Sequence, residues 1–271
     1  MTTQRETSDI LHVIQDGSPD APALVLVHGT GASGRSWDAL VPRLAGVHRV
    51  IRPDLLGHGC SPVPASGDYG ITDQAWWLAR TLDHIGIEQA VLIGHSTGGA
   101  VATALAELRP EIISALTLIN TGPHVNAYIA PDLAIDRAQW PELSDAQIRQ
   151  AMTSAFSRPD FEVPQQMVDD VRAVSFDAFV GTTRASLAYL AERPLPERLT
   201  RLGMSLMVVF GAEDRRWRSS SAADYRAVPG AEVRLLPGIG HTPIVEEPAA
   251  IESLILPFVA AHAMPTVSAG D

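Results

Sequence analysis

Lysine is absent from this 271-residue chain: all 20 of its Lys and Arg positions are arginine. That excludes a Schiff base on the protein, the phosphate-binding lysine of a P-loop and a Ser-x-x-Lys nucleophile pair. Cysteine occurs once, as Cys60, so there is no internal disulfide. A reducing compartment, the cytoplasm, is the expectation. Positive charge is scarce. Thirty-one acidic residues against 20 basic ones leave a net charge of −11, which argues against nucleic-acid binding through a basic surface. No apolar run approaches the roughly 20 residues of a membrane span. Residues 1–9 are polar and lack the apolar stretch of a signal peptide. No His-x-x-x-His spacing and no cysteine pair is present. The expectation is therefore no metal, no cofactor and no membrane partner.

What is present centres on residues 90–106. Ala90, Val91, Leu92 and Ile93 read as a short buried strand. Gly98, Gly99, Ala100, Ala102, Ala104 and Ala106 begin a helix of small residues that stops before Pro110. Between them lies Gly94-x-Ser96-x-Gly98. A strand turning directly into a helix leaves its apex residue strained, and glycines on either side let neighbouring backbone pass without a Cβ clash. The apex serine is held out of the fold, with a helix N-terminus behind it that favours negative charge. Such a Gly-rich turn can also be plain punctuation, so the rest of the chain must supply a base, an acid and hydrogen-bond donors.

The Gly94-x-Ser96-x-Gly98 turn resembles the nucleophile elbow of the α/β-hydrolases. The resemblance runs from about residue 11 to 261. Residues 23–27 form a continuous apolar strand leading into His28-Gly29-Thr30. The similar family loop carries half of the oxyanion hole, which implies the backbone N–H of Thr30 as one donor and that of Thr97 as the second. Asp54-x-x-Gly57-x-Gly59-x-Ser61 resembles the turn after the next family strand. There Asp54 and His58 read as architectural and Cys60 as a small filler. The strand at 112–119 ends at Asn120, where some family members keep the catalytic acid and this chain offers no carboxylate. After the strand at 205–210 comes Gly211-Ala212-Glu213-Asp214, like the family's acid loop, which implies Asp214, with Glu213 as the fallback. The chain then departs from the family pattern with Arg215-Arg216-Trp217-Arg218. That stretch reads as a solvated basic turn or as a site for an anionic substrate group. Gly240-His241 before Glu246-x-Pro248 resembles the family's histidine loop.

Residues 123–200 differ in character. Prolines punctuate helical patterns, with helix candidates after Ser144, at 164–179 and at 182–190, and no strand-like run. The resemblance implies a core of residues 1–122 and 201–271 and a helical cap inserted at 123–200. Tyr128, Trp140, Phe156, Phe161, Phe176 and Phe179 could line a cavity, or serve as the cap's core. The fold expected is thus an α/β-hydrolase: a mostly parallel twisted sheet flanked by helices, with a cap.

The order Ser96, Asp214, His241 matches this fold's triad. The resemblance implies nucleophile, orienting acid and general base in turn, and an acyl-enzyme on Ser96. An apex serine argues against dehalogenase and epoxide hydrolase chemistry, whose enzymes use aspartate there. Cleavage of a small ester, lactone or thioester is the leading expectation. C–C bond hydrolysis, perhydrolysis, a lyase step, or a ligand sensor that keeps the triad are the alternatives.

Overall fold

The structure is a computed structural model and describes residues 10–130, 136–158 and 160–263. The polar stretch at 1–9 lies outside the described residues. Seven strands form one sheet in the order β1-β3-β2-β4-β5-β6-β7. They are β1 (Val13–Asp16), β2 (Ala23–Val27), β3 (Arg49–Pro53), β4 (Ala90–His95), β5 (Ile113–Ile119), β6 (Ser205–Gly211) and β7 (Glu232–Leu236). Only β1, at the edge, runs antiparallel, against β3; the other pairs are parallel. Every residue of β2 and β4 is buried, as expected of strands covered on both faces.

The helices are α1 (Val41–Leu44), α2 (Ile71–His84), α3 (Thr97–Leu108), α4 (Asp145–Met152), α5 (Gln165–Ala173), α6 (Phe176–Glu192), α7 (Leu195–Leu202), α8 (Pro243–Glu246) and α9 (Pro248–His262). On one face of the sheet, α2, α3 and α7 share a core with the outward residues of β2, β4 and β5. On the other, Trp37 and α9 pack against Leu24, Leu26, Val91 and Ile93. Burying each such side chain is worth about 1.5–3 kcal/mol. A third, smaller cluster of Leu143, Ile148, Met152, Phe156, Val163 and Val168 belongs to the segment between β5 and β6. α6 and α7 lie on α3.

Two expectations about local structure are corrected. The helix read at 164–179 breaks at Val174–Ser175, because Ser175 Oγ accepts from the Ala178 N–H (3.1 Å) and starts a new helix there. Cys60 is exposed rather than a filler; its N–H, not its side chain, is used, donating to Asp54.

The chain leaves β2 toward β3 on one side and returns to β4 on the other. The carboxyl ends of β2 and β4 therefore flank the point where strand order reverses, where open α/β sheets form their crevices. Thr30 follows the first of these strands and Ser96 the second.

Candidate active site

Ser96 has φ +53°, a region that L-residues seldom adopt. It is held there by what surrounds it. The Ser96 N–H donates to the Ile119 carbonyl (2.9 Å), and its own carbonyl accepts from the Gly99 N–H (2.9 Å) and Thr121 Oγ1 (3.0 Å). A Cβ on Gly94 would lie 2.5 Å from the Gly98 carbonyl oxygen, and one on Gly98 would lie 2.3 Å from that of Val27. Only glycine fits either place, which is why the motif has the spacing it has.

The hydroxyl lifted by this turn meets a base. Ser96 Oγ lies 3.0 Å from His241 Nε2, and His241 Nδ1 lies 2.9 Å from Asp214 Oδ2. The carboxylate fixes the tautomer: Nδ1–H donates to Asp214, leaving Nε2 to accept from the serine. Residues 96, 214 and 241 follow β4, β6 and β7, so the parallel sheet delivers all three to one rim.

Asp214 is buried, which by itself would raise its pKa. The charge of His241 and hydrogen bonds from His241, Asn120 and the Arg216 N–H outweigh that and hold it below the usual carboxylate range. Its Oδ1 also accepts from the Trp217 N–H (3.1 Å). Glu213, the fallback acid, is exposed beside it.

Thr30 and Thr97 face one another, with their Oγ1 atoms 2.9 Å apart. A Cβ on Gly29 would lie 3.0 Å from Ser96 Cβ, so the loop after β2 runs against the serine. Thr97 opens α3, so its N–H has no partner within the helix. His28 secures this loop: its Nδ1–H donates to the Gly29 carbonyl (2.8 Å) while Nε2 accepts from the Leu55 N–H (2.9 Å). Burial keeps His28 neutral by lowering its pKa. Asp54 ties the same loop down, accepting from the N–H groups of Gly34 (2.7 Å) and Cys60 (2.9 Å) and pairing with His12 (2.9 Å). His58 is fully buried, and burial lowers its pKa to about 3. Folding brings ligating atoms of His12, Asp54 and Cys60 within 4.8 Å of one another, a grouping no sequence spacing reveals. Asp54 is already occupied by its three partners there.

Three supporting residues escaped the sequence reading. Asn120 stands where the carboxylate was missing. Its Nδ2 donates to Asp214 Oδ2 (2.7 Å) and to the Gly240 carbonyl (3.2 Å). Its φ of +45° is a conformation asparagine tolerates better than most residues. His95, inside the serine motif itself, donates from Nε2 to the His241 carbonyl (2.9 Å). Burial drives its pKa down to about 3, so it is neutral. Glu246 clamps the histidine loop to the segment after β5, accepting from the Gly240 N–H (2.7 Å), Ser157 N–H (2.7 Å) and Ser157 Oγ (2.8 Å). The strand-end position of Asn120 and the Glu-x-Pro run were the available signals for two of these.

The basic turn after Asp214 is not a solvated loop. Arg215 donates to the carbonyls of Thr153 and Phe156 (2.7 Å each), and Trp217 is buried with its ring 5.3 Å from that of Tyr128. Arg216 is half-buried, and Arg215 and Arg218 are exposed. Among the aromatics of the inserted segment, Phe156 stacks on Phe161 (4.3 Å) and Trp140 packs on Phe176 and Phe179. Phe179 also reaches Gly31 of the loop beside the serine. A cavity of about 310 Å³ lined by Trp140, Leu143, Ile148 and Val171 lies within this segment and does not include Ser96.

The chain is similar over most of its length to known proteins. A 30 kDa magnesium-chelatase subunit of Rhodobacter capsulatus is 30% identical over 238 residues, covering 84% of each chain. The pimeloyl-[acyl-carrier protein] methyl ester esterase of Aeromonas hydrophila is 29% identical over 260 residues, covering 88% of this chain and 95% of that protein. Among solved structures, the 2-hydroxy-6-oxo-6-phenylhexa-2,4-dienoate hydrolase of Rhodococcus sp. strain RHA1 superposes with a TM-score of 0.76 at 27% identity, covering 91% and 93% of the two chains. Among the described residues, no helix is long and apolar enough to cross a membrane. The alpha/beta hydrolase fold family matches residues 22–248, and this chain is an enzyme belonging to that family.

Proposed function

We propose that this chain is a serine hydrolase that cleaves a small carboxylic ester, lactone or thioester through an acyl-enzyme on Ser96. The observation that carries the reading is the hydrogen-bonded run from Ser96 Oγ through His241 to Asp214, at 3.0 and 2.9 Å. His241 Nε2 takes the hydroxyl proton as Oγ attacks the carbonyl carbon. Asp214, held ionised by its donors, stabilises the imidazolium. The N–H groups of Thr30 and Thr97 receive the negative charge that develops on the carbonyl oxygen. His241 then gives its proton to the leaving oxygen or sulfur. Water, deprotonated by the same imidazole, releases the acid and restores Ser96. In this reading Asn120, His95 and Glu246 are positioning residues, and 123–200 is a cap with a small core of its own. The lone cysteine fits a reducing cytoplasm.

A second reading keeps the same residues and changes the bond broken, to a C–C bond beside a carbonyl. The similarity to the Rhodococcus hydrolase favours it.

A fluorophosphonate probe should label Ser96, with S96A unlabelled, and short p-nitrophenyl esters should turn over. Labelling with poor ester turnover favours the second reading. A folded protein that reacts with neither probe nor ester removes both.

A further inference from the structure

Arg216 follows the acid of the site by two residues, and its backbone is fixed at both peptide groups. Its N–H donates to Asp214 Oδ1 (2.7 Å) and its carbonyl accepts from the Ile129 N–H (2.9 Å). The adjoining pair Tyr128 and Trp217 form an antiparallel bridge. Arg216 sits in the turn that leads into this bridge. Trp217 turns into the core shared with α3. Arg216 stays beside the acid, and its guanidinium interacts electrostatically with Asp214, the Tyr128 hydroxyl and His95.

This guanidinium is half-buried and has no hydrogen bond or ion pair among the described residues. Asp214 is not its partner, because both carboxylate oxygens are already taken by His241, Asn120 and two backbone N–H groups. Arg215 is committed to two carbonyls. A cation partly withdrawn from water without a partner gains from a group that supplies one. Burial also lowers the pKa of Arg216, though an arginine stays charged in proteins.

We propose that Arg216 pairs with a carboxylate of the substrate, so that the esters, lactones or thioesters cleaved at Ser96 carry a second, ionised carboxyl group. The planar fork of a guanidinium matches a carboxylate in two parallel hydrogen bonds. His95 beside it is neutral, so one cation is offered. That suits a monoanion better than a phosphate dianion. The inference rests on the serine-hydrolase reading above and adds the charge of the substrate to it.

The test compares kcat/KM for p-nitrophenyl butyrate and mono-p-nitrophenyl glutarate, in the wild type, R216Q and R216K. The wild type should prefer the charged ester. The charged-to-neutral ratio should fall on the order of 30-fold in R216Q, mainly through KM, and partly recover in R216K. Glutarate should also slow fluorophosphonate labelling of wild-type Ser96 more than butyramide does, and inorganic phosphate should not. A wild type without preference for the charged ester overturns the inference, as does an R216Q variant that loses both esters in step. Protection by phosphate equal to that by glutarate overturns the carboxylate assignment. If Ser96 is not labelled at all, the serine-hydrolase reading fails and this inference falls with it; labelling without charge preference removes only the inference.

Discussion

Asp214 stands just past β6 on the sheet rim and accepts four hydrogen bonds, from His241, Asn120 and the N–H groups of Arg216 and Trp217. Asp170 lies on α5, in the segment between β5 and β6, and accepts two, from Ser33 Oγ (3.0 Å) and Gln166 Nε2 (2.9 Å). Its Oδ2 has no partner among the described residues. Both are buried, yet their ionisation moves in opposite directions. For Asp214, burial is outweighed by its charge partner and donors and the pKa falls. For Asp170, burial prevails and the pKa rises. The difference lies in where the donors come from. At the rim, backbone N–H groups and a strand-end asparagine are fixed by the sheet before any substrate arrives, which is the preorganisation that catalysis needs. Around Asp170 the donors are two rotatable side chains, Ser33 from the loop after β2 and Gln166 from α5, too few to satisfy a carboxylate.

The two sites should therefore respond very differently to substitution. Ser96→Ala should lower kcat for p-nitrophenyl esters on the order of 10⁶-fold with the fold unchanged by circular dichroism. Activity retained within about tenfold would make the rim contact incidental. Asp214→Asn leaves the shape but loses the charge and the tautomer control, and should cost on the order of 10⁴ in kcat. Asn120→Ala should cost roughly 10- to 100-fold in kcat by leaving Asp214 Oδ2 and the Gly240 carbonyl short of a donor. In that variant the pH of acid unfolding should also move up. The folded pKa of Asp214 lies below its unfolded value, so its stabilisation is present above about pH 4 and is lost as pH falls through the folded pKa. An unchanged acid midpoint would show that Asn120 does not support the carboxylate.

The smallest effect belongs to Asp170→Asn. A folded pKa above the unfolded one means the folded state keeps a proton the unfolded state has released. Stability then declines as pH rises from about 4 through the folded pKa. The neutral variant should lose that decline, and at neutral pH should equal or exceed the wild type by at most about 1 kcal/mol in denaturant titrations. A variant less stable than the wild type at neutral pH would reverse the comparison.

The sequence made the rim far more legible than the inserted segment. Gly94-x-Ser96-x-Gly98 reports a backbone contact, between Gly98 and the Val27 carbonyl, that no other residue permits, so its spacing carries three-dimensional information. The segment after β5 carries no such constraint. Its helix break at Ser175 is not legible, because a capping side chain overrides a continuous apolar period. In sequence Asn120 signals only a missing carboxylate, and Cys60 reads as a small filler although it is exposed. The four-residue run at 215–218 reads either way on composition, since packing, not charge, separates half-buried Arg216 and buried Trp217 from exposed Arg215 and Arg218.

Local patterning was enough to establish the alternation of strands and helices, the apex serine and the chain order of serine, acid and base, because periodicity and steric need are written within a few residues. Which side chains then meet is another matter. The crossing of the chain at β2 and β4 and the four donors around Asp214 arise from segments up to about a hundred residues apart, and their contacts exist only once parallel strands have brought those segments to one edge.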